Sequence, residues 1–219
     1  MMKSDVELQR DVLDELAWEP SIDAVSIKVS VNKGVVMLAG KVSSYPEKLT
    51  AEYTAQRVAG VLGLIEAIAV DLPPGLSKYK DSEIKQVAQT ILKWNVAVPD
   101  DKIMLKVEKG CITLEGEVAW HYQKIALETA LRYIKGVTAI VNNIGIVPRV
   151  AAVQARIKIE AALKRNAWVD TREVEVAADS GKVTLKGISN TWKSYQEAER
   201  SAWALPGVRM VKNQLQLAE

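Results

Sequence analysis

Phenylalanine is absent from this 219-residue chain, and cysteine and histidine occur once each, as Cys111 and His121. A single thiol forms no intramolecular disulfide. One cysteine and one histidine cannot supply the nitrogen and sulfur ligands of a zinc site within one chain. A Ser-His-Asp arrangement needs a histidine between two partners, and nothing around "AWHYQK" signals a nucleophile elbow. His121 reads as a helix-start or surface residue. Cys111 falls in a strand pattern, without the cationic or helix-N-terminal setting that activates a thiol. P-loop and GxGxxG fingerprints are missing. The carboxylates scatter along helix faces instead of pairing for acid-base work. No residue is therefore assigned a catalytic, cofactor-binding or metal-binding role, and the expectation is a protein that is not an enzyme.

Long apolar runs are also missing. No stretch approaches the roughly 20 residues of a membrane-spanning helix. The opening "MMKSDVELQRDVLDEL" has no apolar core of a secretory signal, so the expected compartment is the cytoplasm. The net charge is only +2, which gives weak whole-molecule attraction to polyanions. No aromatic-interleaved basic stripe appears, and nucleic acid is not an expected partner.

What the chain does have is a repeat. "NKGVVMLAGKV", "EKGCITLEGEV" and "DSGKVTLKGIS" each hold two glycines six residues apart: Gly34 and Gly40, Gly110 and Gly116, Gly181 and Gly187. The first glycines are separated by 76 and 71 residues, too far for a solenoid repeat and suited to a small domain. Before each first glycine, apolar residues alternate: Ile27, Val29, Val31; Ile103, Leu105, Val107; Val174, Val176, Ala178. A second alternating run follows, with Val36 and Leu38, Ile112 and Leu114, Val183 and Leu185. This pattern predicts a hairpin turned at the first glycine. The second glycine marks a bulge or a close backbone approach.

A helix precedes each hairpin, because Leu8, Val12 and Leu16, then Ile84, Ala88 and Leu92, then Ala155, Ile159 and Leu163 recur at spacing four. A second helix follows, read from Ala51, Ala55 and Val58 and their counterparts Leu127, Leu131, Ile134 and Ala198, Ala202, Leu205. It is expected to stop at Gly60, Gly136 and Gly207. Ser4 with Glu7 and Ser44 with Glu47 read as capping boxes. The endings "IEAIAV", "VNNIGI" and "KNQLQL" are a last strand. The fold expected is α+β: three tandem αββαβ units, each a small three-stranded mixed sheet packed with two helices, over residues 1–73, 77–148 and 149–219. "DLPPGLSKYKDS" at 71–82 is a linker, and "VPRVA" at 147–151 a shorter joint with less freedom.

The αββαβ order, the "KGxxxLxG" hairpin, the pairs Gly60-Val61, Gly136-Val137 and Gly207-Val208, and Asn142 and Asn213 before the last strand resemble the BON domain, a bacterial osmotically inducible and nodulation-associated module. The first unit departs with Glu66 at the asparagine position, and the third with Ser-Gly-Lys in its hairpin. The resemblance covers nearly the whole chain in three tandem copies. It implies a non-enzymatic, stress-associated binding protein that interacts with anionic phospholipid surfaces. Many family members are periplasmic. The resemblance leaves a potassium or small-ligand sensor, with glycine-region carbonyls as ligands, and a protein-interaction scaffold as alternatives.

The tryptophans and the charge distribution place the candidate surface. Trp18 and Trp94 end the first helices of units one and two, and Trp168 follows the first helix of unit three. Such amphipathic aromatics suit a lid over a small core, a contact between units, or a bilayer headgroup zone. Residues 1–73 carry net charge −4, 74–148 carry +2, and 149–219 carry +4. An anionic surface would prefer the third unit, where Arg149, Arg156, Lys158, Lys164 and Arg165 lie on or beside the first helix. Each such residue near anionic lipid contributes about 1 kcal/mol. The candidate membrane-surface residues are Trp94, Trp168, Arg156, Lys158, Lys164 and Arg165.

Overall fold

The computed structural model describes residues 3–77, 79–99, 102–147, 151–169 and 174–217. Three αββαβ repeats follow one another. The first is α1 (Asp5–Trp18), β1 (Ile27–Asn32), β2 (Val35–Val42), α2 (Tyr45–Gln56) and β3 (Gly63–Val70). The second is α3 (Asp81–Trp94), β4 (Ile103–Glu108), β5 (Cys111–Val118), α4 (His121–Leu131) and β6 (Ala139–Ile146). The third is α5 (Ala152–Arg165), β7 (Val174–Asp179), β8 (Lys182–Ser189), α6 (Trp192–Trp203) and β9 (Met210–Leu217). Each sheet has three strands, ordered β1-β2-β3, β4-β5-β6 and β7-β8-β9. By packing, the chain divides into two compact units, 1–90 with 106–113 and 131–141, and 91–105 with 114–130 and 142–219. The middle repeat contributes segments to both.

The periodicities become burial. Leu8, Val12 and Leu16 on α1 meet Val29, Val36 and Leu38 from the hairpin and Ala51 and Ala55 from α2 in one core. Ile159, Leu163, Val176, Val183, Leu185, Ala198 and Ala202 form its counterpart in the third repeat. Burying a Leu or Ile side chain is worth about 1.5–3 kcal/mol, so each repeat rests on a short list of aliphatic residues. β1 and β2 pair antiparallel, with Asn32 opposite Val35. β2 and β3 pair parallel, with Val35 opposite Gly63, and the third repeat repeats both arrangements. α2 and α6 are therefore the crossovers that parallel pairing requires.

The two hairpin glycines have different tasks. The turn is Lys33-Gly34, and both residues have positive φ, 51° and 77°. That is the geometry of a tight hairpin turn matched to strand twist. The same left-handed pair recurs at Lys109-Gly110 and Ser180-Gly181. Gly40 lies in an unbroken register opposite Ile27, so it marks no bulge there. A Cβ at Gly40 would fall 2.1 Å from the Ser26 carbonyl oxygen, and one at Gly116 would fall 2.1 Å from that of Lys102. The second glycine is a close backbone approach.

Two local expectations change. The second helices end before the glycines: α2 at Gln56, α4 at Leu131 and α6 at Trp203. Short three-residue turns follow, with Val58 N–H donating to Ala55 O and Val61 N–H to Val58 O. Gly60, Gly136 and Gly207 then turn the chain into the last strand at φ 105°, 88° and 84°. Ser4 and Glu7 form the full reciprocal cap. Ser44 caps Glu47 N–H, but the Glu47 carboxylate accepts from Ser43 N–H, Ser43 Oγ and Asp23 N–H instead. Glu47 is buried, so its charge is spent tying two loops together.

Candidate functional site

The third-repeat surface begins with α5. Ala155, Ile159 and Leu163 face its core, which leaves the remaining positions to solvent. Lys158 and Arg165, seven residues or two turns apart, share one flank. Arg156 lies on the other flank and pairs with Glu160 at 3.2 Å. Lys164 is exposed and projects nearer the outer face, where Val153 and Ile157 are also exposed. The five basic residues singled out in the sequence thus do not form one cluster. Lys158 and Arg165 lie on one flank, Arg156 on the other and Lys164 on the outer face with Val153 and Ile157, and the fifth, Arg149, lies outside the described residues.

Trp168 is 60% exposed, and Lys193 from α6 sits 4.4 Å above its ring. A cation over an indole face is attracted by the ring quadrupole. Lys193 was not singled out in the sequence, because its pairing joins α6 to the segment after α5. Trp18 and Trp94 are each 82% exposed, so neither is a lid over a core. Trp192 stacks on Tyr195, three residues along α6, at 5.0 Å. Trp120 lies tilted near Tyr122.

Trp203 joins two repeats. Its ring stacks on His121 at 3.7 Å and 20°. Around it, Gly207 N–H donates to Ala119 O at 2.8 Å. Arg209 Nε donates to Ile146 O at 2.8 Å across 63 residues. Burial, and then the nearby Lys124 ammonium, hold the His121 imidazole below its ordinary pKa, so the ring is neutral at pH 7. His121 is at the start of α4, and no nucleophile or carboxylate contacts it among the described residues. Cys111 is half-buried in β5 as a free thiol.

The outer edges of β3 and β6 are closed by side chains, and that of β9 in part. Lys48 Nζ donates to Ile68 O at 3.0 Å, and Lys124 Nζ donates to Ile144 O at 3.0 Å. The N–H of Ile68 donates to Glu66, that of Ile144 to Asn142 and that of Leu215 to Asn213. The Asn/Glu position lies within the last strand, not before it as the sequence pattern suggests, and is an edge cap.

No group of three or more His, Cys, Asp or Glu residues is placed to hold a metal ion among the described residues. No helix among them is long and apolar enough to cross a membrane.

Comparison with known proteins places these features. No curated protein matches the sequence. Among solved structures, CdsD, a structural protein of the type III secretion system of Chlamydia trachomatis, matches at 17% identity and TM-score 0.27, covering 97% of this chain and 94% of that one. A C-terminal domain of CdsD matches at 17% identity and TM-score 0.29, covering 99% and 100%. The PrgH periplasmic domain matches at 13% identity and TM-score 0.23, covering 94% and 100%. These scores are too low to establish a shared fold. The family models are decisive: the BON domain matches residues 4–71, 80–148 and 152–219, each span one αββαβ repeat with its two-glycine hairpin and edge cap, and the chain belongs to the BON domain family as three tandem copies.

Proposed function

We propose that this chain is a non-enzymatic, stress-associated binding protein that attaches to anionic phospholipid surfaces through its third repeat. The observation that carries the reading is the pairing of exposed Trp168 with Lys193 beside a helix whose outer face exposes Val153, Ile157 and Lys164 and whose flanks are basic. Val153 and Ile157 are 73% and 55% exposed, one helical turn apart, and offer a small apolar patch between cations. A helix of this kind lies in the headgroup plane, with its apolar patch inward and its cations on the phosphates. Trp168 would sit at headgroup depth, and Trp94 would be a second interfacial anchor. Arg156 contributes less than Lys158, Lys164 and Arg165, because Glu160 already neutralises it.

Co-sedimentation of the full chain with phosphatidylglycerol vesicles tests this. Binding is expected at low salt, weakening as salt rises, and absent with phosphatidylcholine. Replacing Lys158, Lys164 and Arg165 together by glutamine is expected to weaken binding about 100-fold, at about 1 kcal/mol per cation. Absence of binding to the anionic vesicles, or binding indifferent to salt, overturns the reading.

A further inference from the structure

The three repeats serve as references for one another along the outer edge of the last strand. In the first repeat, the Lys48 ammonium sits on Ile68 O and is neutralised by the Glu66 carboxylate at 2.9 Å. In the second, Lys124 occupies the same place on Ile144 O. The residue equivalent to Glu66 is now Asn142, whose amide Nδ2 donates to Lys124 O at 3.1 Å and contacts Glu128 at 3.4 Å. Glu128, one helical turn after Lys124, is thus turned toward the asparagine. Lys124 has lost the carboxylate that its counterpart has, and no other lies within ion-pair distance among the described residues.

A second cation has been added where the first lost its partner. Arg209, from the third repeat, places Nε on Ile146 O. Residues 144 and 146 are alternate positions on β6, so their carbonyls point the same way and lie about 7 Å apart along the strand. The two cations are therefore held side by side by one strand edge. The Arg209 Nη groups have no hydrogen-bond partner among the described residues. Both side chains line a cleft of about 370 Å³ with Glu117, His121, Ile144 and Gly145. One wall is the His121 ring, braced from behind by Trp203.

A half-buried ammonium without an ion-paired carboxylate is unfavourable. The arrangement calls for an anion supplied from outside. A guanidinium presents a flat fork suited to two oxygens of one anion, and an ammonium adds a point charge. The neutral imidazole can donate one further hydrogen bond. We infer that the cleft between α4, β6 and Arg209 binds a phosphate group, held by Lys124 and Arg209 and supplying the negative charge that Glu66 supplies to Lys48 in the first repeat. The shared chemistry is a phosphate oxyanion, whether free or carried on a lipid headgroup. The inference does not rest on vesicle attachment through α5, because inorganic phosphate alone is the primary probe.

The test measures thermal unfolding and ³¹P NMR line width of the full chain with inorganic phosphate, against chloride at matched ionic strength. Phosphate is expected to raise the melting temperature and to saturate in the millimolar range or below. Lys124→Gln and Arg209→Gln are each expected to weaken phosphate at least tenfold. Glu117→Gln, which removes the cleft's carboxylate, is expected to tighten it severalfold. Arg209→Gln also loses the bond to Ile146 O and can loosen the joint, so Lys124→Gln, which leaves that bond intact, is the deciding variant. Dihexanoyl phosphatidylglycerol, used as monomers, identifies the source. Tighter binding than inorganic phosphate with displacement of it assigns a headgroup, and weaker binding assigns free phosphate; either supports the site. No phosphate-specific shift in the wild-type chain, or equal affinity in wild type and Lys124→Gln, overturns the inference.

Discussion

The carboxylate of Asp81 accepts a hydrogen bond from the backbone N–H of Gly110 at 2.9 Å, and a second from Lys109 at 2.8 Å. Asp5 does the same for Lys33 and Gly34 in the first repeat. The first residue of α3 thereby fixes a turn almost thirty residues away. In the third repeat the position is Ala152, and neither turn N–H of Ser180-Gly181 has a side-chain acceptor among the described residues. Asp81→Ala is expected to cost about 1–3 kcal/mol, the scale of losing hydrogen bonds to a charged group. Ala152→Asp is expected to stabilise the chain by about 1 kcal/mol, or a few degrees of melting temperature. Calorimetry of the two variants checks both signs, and a destabilised Ala152→Asp would refute the equivalence of the three turns.

Glycine substitutions should divide sharply. At Gly116 a new Cβ would meet the Lys102 carbonyl oxygen at 2.1 Å, on a backbone with φ 134°. Gly75 has open space and no positive φ. Gly116→Ala is expected to cost about 3 kcal/mol or more, and Gly75→Ala to change stability by less than about 0.5 kcal/mol in either direction. Chemical denaturation of both proteins reads the contrast.

Glu47 accepts three hydrogen bonds while buried. At the equivalent position of the second repeat, Gln123 accepts from Ala119 and Trp120 and donates to Ala97 O. An amide can thus serve where a carboxylate does. Glu47→Gln is expected to retain most of the stability that Glu47→Ala loses, with Glu47→Ala costing about 2–4 kcal/mol through unsatisfied N–H groups. Equal losses in the two denaturation curves would show that packing, not hydrogen bonding, sets the position.

His121 gives stability a pH dependence. Its folded pKa is lowered, first by burial and then by Lys124. The unfolded chain therefore binds the proton more readily, and stability rises with pH through the window below the ordinary imidazole value of about 6.5. The contribution is complete above that value and is lost as pH falls toward the folded pKa. His121→Phe keeps a ring against Trp203 and is expected to flatten the difference in melting temperature between pH 7.5 and pH 5.5. Imidazole titration by NMR should give a value under 6.5; a value above it would reverse the sign.

Much of the fold is legible in the chain because it is periodic. Leu8, Val12 and Leu16 announce their helix face, and Gly34 its turn, from spacing alone. α2 stops at Gln56 and not at Gly60, because a short turn can carry an apolar residue such as Val58 onward after the helix has ended. The Asp81 cap and the Arg209 contact escaped for a different reason. They join residues 29 and 63 positions apart, and no local pattern encodes such a pairing. The one trace was Glu66 where the other repeats carry asparagine. That substitution reads as family variation until Lys48 and Lys124 are seen on equivalent carbonyls.

The side chains that close the last strands also govern self-association. A foreign strand adding to β3 or β6 would need the Ile68 and Ile144 carbonyls as acceptors, and lysine holds both. It would also need their N–H groups, which Glu66 and Asn142 hold. The third repeat keeps only half of this guard, since Asn213 caps Leu215 N–H while Tyr195 replaces the lysine. Of the three last strands, β9 is therefore the one where growth by amyloid-like stacking would begin.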